Sequence, residues 1–531
     1  MGHVFIVHSD IRKLFCDAWL LPCDVRARPD RHWLEWPPGT AAVAPRRELP
    51  GDWHPEGRRT LKLDGWPDGY PQPWLTNVGA DKVRSLDWFI QGAVQFIDEA
   101  ARDLVARGAC GGPRPRPLLA LPVVGTGYGG AESLAGDVVR LLVPALTESA
   151  RRHQLDIALV AYDEHTFAAA QAYRRVRMDS WRELPAALRG HADRLAALAA
   201  RGELVLFLGA GVSTGANLPL WGEMLEQLAR EVGIRDAELL ALRRLDYLDQ
   251  SHILEQRCGG EDILRERIAA AMQRHHFALG HALLASLPIS EIVTTNYDQL
   301  FEMAFTSAGH RTLAVLPHAP LQGAVGWLLK MHGSVEHPRD IVLTRRDYMR
   351  YDEQRAALAG IVQAQLLTKK MIFVGFSMND ANFLRIADTV RRALRVPQAS
   401  SRESQSFGVA LALTRNPLLE ELWRNDLDWI AMEDTPEGPP TWLREAARRL
   451  DIFLDYLLAQ ASSTTAHLLD HRFDGVLSDP ERALRSALEA FLVSVPPAAQ
   501  QAPAWAQIEA LIGQLGGLPV AGVPWYRKTE R

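Results

Sequence analysis

An α/β fold, with two successive sheet-bearing domains and then a helical C-terminal segment, is what this sequence predicts, on three observations. Short apolar runs recur along the chain with helical patterns between most of them. In the middle region those runs are apolar over their whole length, which suits a doubly wound parallel sheet buried on both faces. Four of them also run straight into glycine or polar motifs, and such a sheet gathers those at the carboxyl ends of its strands.

The first domain is expected over 1–175. Val4–Val7 is its opening apolar run, and a Pro/Trp/Gly-rich irregular stretch fills about 34–75. Leu86 to Val105 then puts Trp88, Phe89, Ala93, Phe96 and Ile97 on one helical face. Past the Gly111-Gly112-Pro113 hinge come a strand over Leu118–Val124, a glycine loop, a helix over roughly 134–152 and a buried strand, Ile157–Ala161. An Ala/Leu/Arg-rich helical linker, 176–200, leads to the second domain over 201–435. Its strands are Leu204–Leu208, Ile289–Val293, Gly326–Met331, Met371–Val374 and Val409–Leu413. Pro439-Pro440 breaks the pattern, and 436–531 reads as a helical segment for assembly or partner contact.

Composition narrows the function classes. Hydrophobic residues make up 47% and charged residues 23%, a balance that argues for packed cores rather than disorder. The 59 basic residues stand against 64 acidic ones and are interspersed with them, so no phosphate track argues for nucleic acid. Four scattered cysteines (Cys16, Cys23, Cys110, Cys258) supply neither a disulfide framework nor a Cys-x-x-Cys zinc pair, and no metal is expected. His275-His276 with His281 has metal-like residue types, but nothing at zinc spacing joins them, and a solvated helix end is the simpler reading. No run approaches the roughly 20 apolar residues of a membrane span, and no signal peptide is evident. A reducing cytoplasm is the expected location.

The chemistry sits where the four motifs follow the strands. Leu204–Leu208 runs into Gly209-Ala210-Gly211-Val212-Ser213-Thr214-Gly215, whose glycines let backbone approach an anion beside a following helix. No Gly-Lys-Ser/Thr follows, so it is no Walker loop. Thr294-Thr295-Asn296-Tyr297-Asp298 offers an amide and a carboxylate that can hold ribose hydroxyls and orient water. His332-Gly333-Ser334 offers an imidazole able to take a proton near neutral pH. Gly375-Phe376-Ser377-Met378-Asn379-Asp380 completes the set. Each alone also fits a turn or a helix cap; following separate strands of one sheet, they read as one site.

In order and spacing these motifs resemble the SIR2 (sirtuin) superfamily, with its Rossmann-like domain, across roughly 200–435. Pro219-Leu220-Trp221 and the Ser377-Met-Asn-Asp380 ending look like the bacterial SIR2-like branch of anti-phage defence proteins. The resemblance implies NAD as substrate, with Gly209, Ala210, Gly211 and Ser213 on its pyrophosphate. Asn296 and Asp298 would hold the nicotinamide-side ribose and the attacking water, His332 would be the catalytic histidine, and Ser377 would help hold the nucleotide; Thr295, Gly375 and Asp380 complete the binding set. The paired Cys-x-x-Cys module of sirtuin deacylases is missing, and Asn217-Leu218-Pro219-Leu220 replaces their Phe-Arg element. Both departures favour hydrolysis of NAD to nicotinamide and ADP-ribose. A deacylase, an ADP-ribosyltransferase and a non-catalytic nucleotide-sensing scaffold stay open as alternatives.

The first domain carries its own glycine loop, Gly125-Thr126-Gly127-Tyr128-Gly129-Gly130, after Leu121–Val124. With Ser9-Asp10-Ile11, Asp17–Leu20 and Ile157–Asp163, it looks like a macrodomain, an ADP-ribose-binding module. That resemblance implies adenine contact at Asp10 and a phosphate loop over Gly125 to Gly129; Pro22-Cys23-Asp24 stands where many macrodomains have an Asn-rich loop, which disfavours hydrolase activity there. The expected partners are therefore NAD, an ADP-ribose-derived signal, a phage or defence-system protein and further copies of the chain.

Overall fold

A computed structural model describes all residues except 38–48, 80–84, 109–113, 128–129, 178–179, 308–310, 395–405, 435–439, 463–464 and 518–531. Its described residues fall into two compact units, one drawn from 1–112, 116–185 and 458–531, the other from 113–115 and 186–457. The expected linker, 176–200, is thus divided, with 176–185 in the first unit and its helix from Ala186 in the second. The expected C-terminal segment is shared, passing to the first unit at Leu458.

In the first unit, β1 (Val4–His8), β2 (Ala18–Cys23), β3 (Thr60–Lys62), β4 (Gln72–Asn77), β5 (Leu118–Pro122) and β6 (Asp156–Ala161) form one sheet in the order β1-β6-β5-β2-β4-β3. Only β3 runs antiparallel to its neighbour. Helices α1 (Leu86–Ala106), α2 (Ala135–His153) and α3 (Glu164–Arg177) cover it. The apolar stripe of α1 is buried as its periodicity predicts, and Ser85 caps the helix by accepting from Trp88 N–H. Strand β3 and the start of β4 lie in the stretch read as irregular: β3 is short, and Pro73 hides β4, although a proline beside the strand start forfeits little of the ladder. Edge strand β1 is covered by side chains. Buried Arg174 donates to Val4 O and Gln171 to Ile6 O, blunting an edge that could otherwise pair with another chain.

The second unit opens with α4 (Ala186–Ala200) and β7 (Leu204–Leu208), followed by α5 (Trp221–Glu231), α6 (Asp236–Leu242), α7 (Tyr247–Cys258), α8 (Glu261–Met272) and α9 (Leu279–Ser286). Then come β8 (Glu291–Thr294), α10 (Leu300–Thr306), β9 (Leu313–Leu316), β10 (Gly326–Lys330), α11 (Arg345–Thr368), β11 (Lys370–Val374), α12 (Ala381–Leu394), β12 (Gly408–Thr414), α13 (Pro417–Leu422), β13 (Leu427–Glu433) and α14 (Pro440–Ala461). The seven strands form a wholly parallel sheet, β13-β12-β11-β7-β8-β10-β9. Each predicted strand is present within two residues of its expected ends; β9 and β13 are additions. Phe207, Phe373, Phe376 and Phe383 pack at ring-centroid distances of 4.6–6.1 Å and fasten the loop after β11 to the core.

The C-terminal helices, α15 (Asp479–Ser494) and α16 (Trp505–Gln514), belong to the first unit. The turn preceding α15 is seated closely: a Cβ on Gly136 of α2 would lie 2.7 Å from Phe473 Cα, and His165 Nδ1 meets Asp470 at 2.8 Å.

Candidate active site

The crevice of the second sheet follows from its strand order. The chain leaves β7 for β8 on one side and later returns to β11 on the other, so the winding reverses at β7 and the loops on either side part. Register makes the strand ends level. Leu208 pairs with both Val374 and Thr294, and Thr294 pairs with Lys330. Gly209, Gly375, Thr295 and Met331 therefore begin their four loops at one height.

Glycine is required here for backbone meeting backbone. Gly209 N–H donates to Val374 O, and Gly211 N–H to Gly375 O at 2.9 Å. A Cβ on Gly209 would lie 2.4 Å from Gly375 O, and one on Gly375, whose φ is +64°, would lie 2.6 Å from Val212 N. Residues 210–216 form a 3-10 turn rather than the expected helix, which begins only at Trp221. Ala210 and Gly211 at its start are exposed, so their backbone is open to a ligand.

Beneath that turn lies a closed hydrogen-bond cluster. Ser213 Oγ donates to Asp298 Oδ2 at 2.9 Å and receives Asn296 Nδ2 at 3.4 Å; the His281 Nε2 is also 3.4 Å away. His281 Nδ1 accepts the Ala278 N–H, which leaves Nε2 to carry the proton and donate to Ser213. Burial drives the His281 pKa down to about 4, with Asp298 opposing, so the ring is neutral near pH 7. His281 is 1% exposed and His276 6%, which corrects the solvated-helix-end reading. The other oxygen of Asp298 caps α10 through Leu300 N–H. Asn296 Nδ2 also donates to Gly209 O at 3.1 Å, which leaves Asn296 Oδ1 buried with no partner. A buried acceptor without a donor costs about 1–3 kcal/mol.

A second cluster surrounds His332, 4% exposed at the end of β10. Arg385 Nη2 donates to Asn382 Oδ1, which turns the amide so that Nδ2 faces His332 Nε2 at 3.3 Å. In the neutral ring Nε2 is thus the acceptor. Asp380 Oδ2 stands 3.5 Å from the same nitrogen, where it would stabilise an imidazolium, and is itself held by Tyr348 Oη at 2.9 Å. Burial lowers the His332 pKa more than Asp380 raises it. The result is a neutral base with a carboxylate ready for its proton. Asn382 and Arg385, two and five positions beyond Asp380, escaped the motif reading.

The sheet therefore brings Ser213 after β7 together with Asn296 and Asp298 after β8, and His332 after β10 together with Asp380 after β11. No hydrogen bond joins the two groups directly, and Ser213 and Asp298 turn their side chains inward. Thr295 and Gly375 line the loops half-buried, and Ser377 is exposed. In the first unit, Asp10 is buried and paired with Arg12 at 2.7 Å. Gly125 abuts the Phe89 ring, Thr126 Oγ1 donates to Val123 O, and Gly127 is exposed. Tyr128 and Gly129 lie outside the described residues. Among the described residues, no group of three or more His, Cys, Asp or Glu is placed to hold a metal ion, and no helix is long and apolar enough to cross a membrane.

Residues 290–425 match the family model of the SIR2-like domain. The NAD(+) hydrolase ThsA of Enterococcus faecium is 30% identical over 207 residues, 37% of this chain and 42% of that protein. ThsA of Bacillus cereus (strain MSX-D12) is 30% identical over 198 residues, covering 35% and 40%. The defense-associated sirtuin 2 of Bacillus subtilis is 23% identical over 203 residues, 36% of this chain and 19% of that protein. The matched stretch spans about two-fifths of the length of the two hydrolases. Within the second unit, residues 290–425, which carry the Asn296, His332 and Asp380 loops, thus match a SIR2-like domain.

Proposed function

We propose that this chain hydrolyses NAD to nicotinamide and ADP-ribose, as a regulated effector of bacterial anti-phage defence. The observation that carries the reading is Asn296, whose buried Oδ1 lacks a donor while its Nδ2 is fixed on Gly209 and Ser213, one strand from a neutral His332. A ribose hydroxyl or the attacking water supplies the missing donor. The nicotinamide–ribose bond breaks with its electron pair leaving on nicotinamide. Water oxygen bonds to the ribose carbon, and its proton passes to His332 Nε2, where Asp380 stabilises the charge. The exposed backbone at Ala210 and Gly211 takes the pyrophosphate. The names of the relatives support the same substrate.

Regulation belongs to the same proposal. An ADP-ribose-derived ligand at the β1 and β5 loops of the first unit, around Asp10 and Gly125–Gly127, would govern turnover; calorimetry on the full chain with ADP-ribose, finding no heat of binding, would remove this part.

The test of the catalytic reading is chromatographic. Full-length protein incubated with NAD should release nicotinamide, and Asn296→Ala and His332→Ala should release it at least about 10²-fold more slowly. Equal release by all three would refute the assignment.

A further inference from the structure

Lys330 is the last residue of β10 and 1% exposed, a charge taken wholly out of water. A buried ammonium is costly unless every proton is matched. Here the matches are specific. Nζ donates to Asp298 O at 2.5 Å, to Tyr297 O at 3.2 Å and to Ser334 Oγ at 3.3 Å, and Glu302 Oε1 of α10 is 2.6 Å away. Two contacts hold the loop that presents Asn296. One holds the loop that presents His332. The fourth neutralises the charge from the helix that Asp298 caps. Nothing in the proposed chemistry uses this ammonium.

We infer that the Lys330–Glu302 pair is a positioning clamp that fixes the Asn296 loop and the His332 loop at one spacing. The two loops belong to adjacent strands, and Thr294 and Lys330 pair in register. Beyond that register, Val335 N–H reaches Tyr297 O, and the ammonium meets the same carbonyl from below. The clamp rests on the hydrolase reading for its purpose, but not for its test.

The experiment uses the full chain. Lys330→Met with Glu302→Met replaces the pair by apolar side chains of similar length, a change that leaves many folds intact. Its turnover should fall roughly 10- to 100-fold with KM within about threefold, since a misplacement of about 1 Å costs about that much in rate. Hydrogen exchange should rise in 296–300 and 331–335 and stay unchanged in β7 and β11. A folded double variant with wild-type kcat and unchanged exchange in both loops would overturn the clamp. Should the double variant not fold, Ser334→Ala cuts only the link to the His332 loop. It should lower kcat about three- to tenfold at constant KM and raise exchange in 331–335 alone; wild-type behaviour there would overturn the clamp equally. The exchange readout needs no turnover, so a wild type that releases no nicotinamide would sink the hydrolase reading and leave this test standing.

Discussion

Each unit carries a glycine loop at the carboxyl end of a parallel strand, and the two loops are built for different ends. After β7, Gly209 and Gly211 lie against Gly375 of the neighbouring loop, backbone on backbone. Behind them are a histidine, a serine, an aspartate and an asparagine in one hydrogen-bond cluster. After β5, Gly125 is packed on the Phe89 ring, a Cβ on Gly127 would meet nothing within 4 Å among the described residues, and Thr126 turns back to Val123 O beside its own strand. The sequence strings are similar. What distinguishes the site is the buried polar network behind the glycines, which no glycine pattern can announce.

That contrast can be broken in several ways, and the largest effect belongs to the network itself. Asn296→Ala and His332→Ala should each lower nicotinamide release by at least about 10²–10⁴, the range for a general base, with melting curves close to wild type. Retained turnover in either would move the chemistry elsewhere. Next comes backbone packing. Gly375→Ala forces a side chain into a left-handed position and against Val212, and should cost about 2–4 kcal/mol in denaturant unfolding. Gly127→Ala in the other loop has open space and should be neutral or stabilising by up to about 1 kcal/mol. Equal losses would show the two loops to be packed alike.

The buried histidine gives a pH test. His281 is held near 4 in the folded protein against 6.5 for an ordinary histidine, so between those values the unfolded chain takes up a proton that the folded chain refuses. Its contribution is complete above pH 6.5 and lost as pH falls toward 4. The stability difference between wild type and His281→Gln should therefore shrink by about 3 kcal/mol across that window; a difference constant with pH would place His281 in water. A further effect concerns the ring of His332. Asn382→Leu removes the donor that holds Nε2 as acceptor and should lower kcat about 10- to 100-fold, with binding little changed. In wild type the acid limb of the pH–rate profile should lie below the ordinary histidine value of about 6.5, because burial lowers the His332 pKa. An acid limb above that value would contradict the burial argument.

Five strands of the second sheet were legible in sequence because they are apolar on both faces and four of them end at a motif; Leu204–Leu208 was placed to the residue. In the first unit, β3 and β4 hid among prolines and tryptophans: β3 has only three residues, and Pro73 sits inside β4. The site was legible as a set of loops, and its inward half was not. His281 lies in α9, 68 residues from Ser213, and only the fold makes them neighbours. Lys330 drew no reading in the sequence, where it is one polar residue near the end of an apolar strand, and burial alone reveals it as an ion beneath two loops. Asn382 and Arg385 stood next to a recognised motif, but their task depends on a helix turn that sets one amide.

The most direct test of the central claim is product stoichiometry from the intact wild-type chain at saturating NAD, about 1 mM. The four level loops, with a neutral base and a fixed amide, predict one free ADP-ribose for every nicotinamide released, with no label on protein and no acyl group consumed. Nicotinamide release without matching free ADP-ribose, or no release at all, would contradict it.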